Sequence, residues 1–181
     1  MSDDSSLGGA PGAGRGQAGE HAHAAEQEGR RLALAAIFEA DFGQRTAVRA
    51  LERRLEDEGS DQRAAGHARA IVEAVVAERE AIDALITRVA PQYPVTQLAR
   101  IDRALLRCGL GELLHCPTTP SRVAIAEWVE LARTYSGEPA RRLLNGVLGR
   151  VASEAKSSGR ELSASDNAIE GGVDRHTGGS T

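Results

Sequence analysis

Cys108, His115 and Cys116 form the cluster of cysteine and histidine that could suggest a zinc site in the sequence. On one helix the two cysteines stand eight residues apart, about 12 Å along the axis, too far to share a zinc ion with Zn–S bonds of roughly 2.3 Å. Both are expected to be core thiols, with no metal and no cofactor. No Ser or Cys has a base beside it in sequence, and the carboxylates are spread along helix faces rather than paired, so an enzyme is not expected. The stretch GGAPGAGRG (8–16) has the glycines of a phosphate loop. No strand precedes it, however, and neither a Lys-Ser/Thr pair nor an apolar helix follows.

More informative is a row of arginines. Arg100, Arg103 and Arg107 are spaced i, i+3, i+7 and share one helix face, which Gly111 continues with no side chain to obstruct an approaching backbone. Three cations in a row repel one another unless anions stand opposite. They can form a phosphate track for nucleic acid, or pair within the protein with acids such as Asp102, Glu112 or Glu130. Arg30 and Arg31 can extend such a track or form an ordinary solvated face.

The elements that must position these residues are all helical, because no segment alternates over four or more residues as a half-buried strand would. The spacing predicts helices over about 29–42 (Leu32, Leu34, Ile37, Phe38 and Phe42 inward, Gly43 closing), 45–57 (Val48, Leu51, Leu55) and 62–89 (Ile71, Val75, Ile82, Ile86, Val89). Pro91 and Pro94 then break the chain. A short helical turn is expected near Val95–Leu98, followed by a helix over 100–115 that is apolar on most sides and belongs in the middle of a bundle. A helix over about 120–135 starts with Thr119 as N-cap and Pro120 in the first helical position. A last helix covers about 138–155, with Asn145-Gly146 inside it. The fold class is therefore an all-α bundle of about seven helices in a domain spanning 29–156, divided at the prolines into subdomains 29–92 and 93–156. Residues 1–28 and 157–181 are poor in apolar side chains and are expected to be disordered tails.

Charge follows the same division. The whole chain of 181 residues is −4, but residues 1–28 alone carry −4 and 157–181 carry −2, leaving 19 basic and 17 acidic side chains in 29–156. The body is thus +2, and of the 22 basic residues in the chain only Lys156 is not arginine. Nothing approaches eighteen uninterrupted apolar residues, and the start MSDDSSLGGAPGAG has neither a basic nor an apolar leader segment, so a cytoplasmic protein without a membrane span is expected. Two cysteines in this length fit a reducing compartment.

Three segments in order, IDRALLRCGLGELL (101–114), PSRVAIAEWVELA (120–132) and LLNGVL (143–148), resemble the C-terminal signatures of the NusB family of bacterial transcription antitermination factors. RRLALAAIFEADF (30–42) is similar to that family's opening helix, which contains arginine and ends in an aromatic. The resemblance covers about 29–153. It implies a NusB-like helical bundle and an adaptor without catalysis, binding boxA RNA of nascent ribosomal RNA transcripts together with the ribosomal protein NusE, within the RNA polymerase antitermination complex. Carried onto this chain, it implies RNA contacts at Arg30, Arg31, Arg103 and Arg107, and a protein-partner surface at Phe38 and Asp102. The chain departs from the family pattern at AEQEG (25–29), where basic residues are usual, and at Ala126, where Asn is common. Two further readings stay open: a NusB-like accessory domain of an rRNA cytosine methyltransferase, present as a fragment, and a protein-binding helical module with little RNA affinity.

Overall fold

The structure, a computed structural model, describes residues 13–169. Seven α-helices follow one another: α1 (Ala13–Ala40), α2 (Ala47–Glu58), α3 (Gln62–Ala77), α4 (Arg79–Val89), α5 (Arg100–His115), α6 (Ser121–Tyr135) and α7 (Glu138–Ile169), with a short 3-10 helix at Val95–Gln97. Among the described residues there is no strand, and no helix is long and apolar enough to cross a membrane.

The centre of the bundle is α5, which packs against α1, α3, α4, α6 and α7. Its residues from Ala104 to Glu112 are all buried, as an all-round apolar pattern requires. Helix α1 lies against α2, α3 and α5, burying Leu32, Leu34 and Ile37. Gly29 lets it approach α3, because a Cβ at that position would meet the Ala64 carbonyl oxygen at 2.8 Å. Gly43, at φ 75°, turns the chain out of α1. The side chains of Thr46 and Asp61 cap α2 and α3 by accepting from the Arg49 N–H and from the Arg63 and Ala64 N–H groups. Helices α6 and α7 pack on each other and on α5, burying Trp128, Leu144, Val147, Leu148 and Val151.

Several boundaries differ from the sequence reading. The first and last helices reach into the segments expected to be disordered, from Ala13 rather than 29 and to Ile169 rather than 155. At the start of α1 the helix nucleated by a buried stretch extends at little cost through residues such as Ala, Glu and Gln, so low apolar content does not end it. Glu26 also holds Arg63 at 2.9 Å, tying the extension to α3. The Ser-rich run 157–169 at the end of α7 has no such propensity, and nothing in the structure explains its helix. Residues 1–12 and 170–181, with most of the phosphate-loop look-alike, lie outside the described residues.

The single helix expected over 62–89 is two. Glu78 leaves helical geometry at φ −109°, ψ 19°, and α4 packs against α5 and α7 as well as α3. Its N–H still bonds Ala74 O, and Glu78 O still accepts from Ile82 N, so the periodicity runs across the break undisturbed. Pro120, at ψ 134°, is the residue flanking α6 rather than its first, which displaces Thr119 from the cap. Phe42 sits in the turn after α1 and is half exposed, and Val48 is exposed on α2, which packs against α1 and α3.

Candidate nucleic-acid and partner interfaces

The four arginines assigned to RNA separate in the folded protein. Arg30 is fully buried. Its Nε and Nη2 donate to Glu112 Oε2 and Oε1 at 2.9 and 2.7 Å, and its Nη1 lies 3.9 Å from Glu127. Trp128 Nε1 donates to the same Glu112 Oε2 at 2.6 Å, and His67 Nε2 stands 3.1 Å from Oε1. Burial alone would push the Glu112 carboxyl up; the neighbouring His67 and Arg30 outweigh it and hold the group at about 2. This cluster joins α1, α3, α5 and α6 and is closed to phosphate.

Arg107 is buried as well. It forks onto Asp83 through Nε (2.8 Å) and Nη2 (2.7 Å) and gives Nη1 to Asp41 Oδ1 at 3.0 Å. Burial disfavours its charge, but the two carboxylates more than offset that and raise its pKa. Arg103 donates Nε to Asp41 Oδ2 at 2.9 Å and retains little exposure. Arg100 lies over the Phe42 ring, 4.4 Å from its centre. The arginine row is thus held mainly by ion pairs inside the protein, with Asp41 and Asp83 as the acids in place of Asp102, Glu112 or Glu130. Gly111 does not leave a face open: a Cβ there would strike Val75 Cγ2 at 2.8 Å, so the glycine admits α3 rather than a nucleic-acid backbone. Both cysteines are buried, and burial pushes the Cys116 thiol up to about 11 and Cys108 higher still.

Of the four assigned arginines, Arg31 has the most open side chain, 52% exposed. With Leu34, Ala35, Phe38, Ile101 and Tyr135 it lines a mostly apolar hollow of about 430 Å³ between α1, α5 and α6. Phe38 meets Phe42 edge to face, with ring centres 5.2 Å apart. Beside Ile101, the Oδ1 atom of Asp102 is buried without a hydrogen-bond partner.

A second hollow, about 520 Å³, opens between the turn after α4 and the face of α7, lined by Val89, Tyr93, Arg142, Leu143, Gly146 and Arg150 among others. Arg142 and Arg150 are 75% and 58% exposed, two turns apart, with Gly146 between them and nothing near its missing Cβ. Their carboxylates are shared. Glu138 serves Arg141 and Arg142, and Glu154 serves Arg88 and Arg150, so four guanidiniums stand against two acids. The sequence reading passed over this groove. Its only local signal is the eight-residue spacing of Arg142 and Arg150, and Tyr93 arrives from a different segment.

The model of the NusB family matches residues 27–153. The transcription antitermination protein NusB of Heliobacterium modesticaldum is 37% identical over 143 residues, covering 78% of this chain and 69% of that protein. That of Myxococcus xanthus is 36% identical over 132 residues, covering 71% of this chain and 94% of the relative. Among solved structures, T. maritima NusB superposes with a TM-score of 0.66 at 31% identity, covering 71% of this chain and 91% of that one. A complex of the antitermination factors NusB and NusE with double-stranded RNA contains the same fold at 21% identity, with a TM-score of 0.65 and coverage of 72% and 97%. A family match over the folded body, relatives along nearly all of it and a shared arrangement of helices place this chain in the NusB family.

Proposed function

We propose that the protein is a transcription antitermination adaptor, which binds boxA-type RNA of nascent ribosomal RNA transcripts together with the ribosomal protein NusE and carries both to RNA polymerase in the cytoplasm. The observation that carries this reading is the open groove between α4 and α7, lined by Arg142 and Arg150, whose carboxylates Glu138 and Glu154 are also drawn on by Arg141 and Arg88 outside the lining and so leave cationic capacity for phosphate. NusE is assigned the hollow around Phe38, where an apolar floor is rimmed by the Arg31 guanidinium. Asp102, partly exposed and next to the lining residue Ile101 on α5, is assigned to the same partner surface through the part of its carboxylate other than the buried Oδ1. In this reading Arg31 meets the partner or the RNA it brings, whereas Arg30 and Arg107 serve by holding the helices in place.

Titration of labelled boxA RNA with the chain alone and with NusE, at several salt concentrations, tests the reading. The pair is expected to bind more tightly than the chain alone, because a body charge of only +2 makes a weak phosphate surface by itself. In the Arg142→Ala/Arg150→Ala variant, the slope of log K against log salt should flatten by roughly 0.7 per lost single-strand phosphate contact. Unchanged affinity and slope in that variant, or equal affinities with and without NusE, would refute it.

A further inference from the structure

Resting on the RNA reading of the groove, we infer that Tyr93 is a base-stacking residue and that the groove selects an unpaired base in a single strand rather than a duplex backbone.

Aromatic side chains are scarce here: of five, three are engaged with other side chains, and Tyr135, half exposed, lies at the other hollow. Trp128 is buried with its N–H on Glu112. Phe42 packs against Phe38 and lies under Arg100. Phe38 and Tyr135 line the hollow between α1, α5 and α6. Tyr93 alone stands in the groove with the exposed arginines, itself 46% exposed.

Its setting is rigid. Tyr93 N donates to Ala90 O at 2.9 Å, closing a turn whose second residue is Pro91, and Pro94 follows at φ −57°. A residue before proline is confined to extended backbone, so the main chain that carries the ring has little freedom left to lose when a base lands on it. Gly146 opposes it on α7 with no side chain to fill the space, while Arg142 and Arg150 lie one turn to either side. Cations that hold phosphates beside an aromatic face that takes a base are the combination by which single strands are bound. A paired base in a duplex has no free face to offer.

The test measures binding of the full chain with NusE to a single-stranded boxA RNA and to the same RNA annealed to its complement. Tyr93→Ala should weaken single-strand binding roughly 5- to 150-fold, the range for one lost stack, with the salt slope unchanged. Tyr93→Phe and Tyr93→Trp should stay within about threefold of the parent, and the annealed RNA should show no penalty for Tyr93→Ala. Full single-strand affinity in Tyr93→Ala, an equal loss on the annealed RNA, or a loss accompanied by a flatter salt slope would overturn the stacking role. The Arg142→Ala/Arg150→Ala arm separates the two readings. If it flattens the slope while Tyr93→Ala does nothing, the groove binds RNA without stacking; if neither variant matters, the RNA reading of the groove falls as well. Because the side chain is exposed, thermal melting of the variants should coincide with the parent, and a large drop in Tyr93→Ala would make the residue structural and sink the proposal.

Discussion

Replacing Arg30 by Ala separates the two chemistries that the opening of the first helix can serve. The substitution removes two charged hydrogen bonds, at 2.9 and 2.7 Å, from a carboxylate with no solvent exposure. Glu112 then keeps only Trp128 Nε1 and the nearby His67. Stranding one member of a fully buried pair costs about 3–5 kcal/mol. For a chain of this length that corresponds to a fall in Tm of roughly 6–20 °C. Circular dichroism melts at neutral pH read the loss directly, and RNA titrations well below the new Tm should show an unaltered salt slope. The double variant Arg30→Met/Glu112→Gln removes both charges while leaving Trp128 an acceptor, and should recover more than half of the lost stability. An Arg30→Ala protein that melts within about 3 °C of the parent and binds RNA with a flatter salt slope would refute the structural role and return Arg30 to the phosphates.

The same carboxylate sets an acid limit. Glu112 is held at about 2 against an ordinary value of 4.5, so its contribution is fully present above pH 4.5 and is lost as pH falls toward 2. The shift corresponds to about 3 kcal/mol, and Glu112→Gln should remove that part of the pH dependence when melts are compared between pH 5 and 2.5. Gly111→Ala drives a Cβ to 2.8 Å from Val75 Cγ2 and should destabilise by about 1–3 kcal/mol in denaturant titration, because α3 must shift. Parent-like stability there would mean the interface is loose. Asp102→Ala deletes a buried oxygen that has no partner within the chain, so Tm should hold or rise while affinity for NusE, measured by calorimetry, falls roughly 10-fold or more. A fall in Tm with full partner affinity would show that Asp102 is bonded within the fold.

Helical periods in the body are local properties, and all the helical stretches with most of their buried faces could be read from them, α3 and α4 as one helix. Leu32, Leu34 and Ile37, the all-round apolar run of α5, and the Asn-Gly pair kept inside α7 all stand where the spacing put them. The misses are also local in origin. A one-residue break at Glu78 leaves the 3.6-residue rhythm intact, and the Ala- and Glu-rich stretch at the start of α1 continues a helix that its apolar content could not have started.

The roles of the arginines belong to a different level. Spacing alone put Arg100, Arg103 and Arg107 on one face of α5, and the sequence similarity placed the chain among antitermination proteins. What faces that row is decided by Asp41, 66 residues away from Arg107, and Asp83, 24 residues away. Arg30 and Glu112 are 82 residues apart. A guanidinium has the same sequence signature whether it meets a phosphate or a buried carboxylate, and only packing brings the acid within reach and excludes the water that would otherwise screen it. Gly111 is ambiguous for the same reason, since a missing side chain admits either a ligand or a neighbouring helix. The groove with Arg142, Arg150 and Tyr93 exists only because α4 folds onto α7, joining residues that no local period relates.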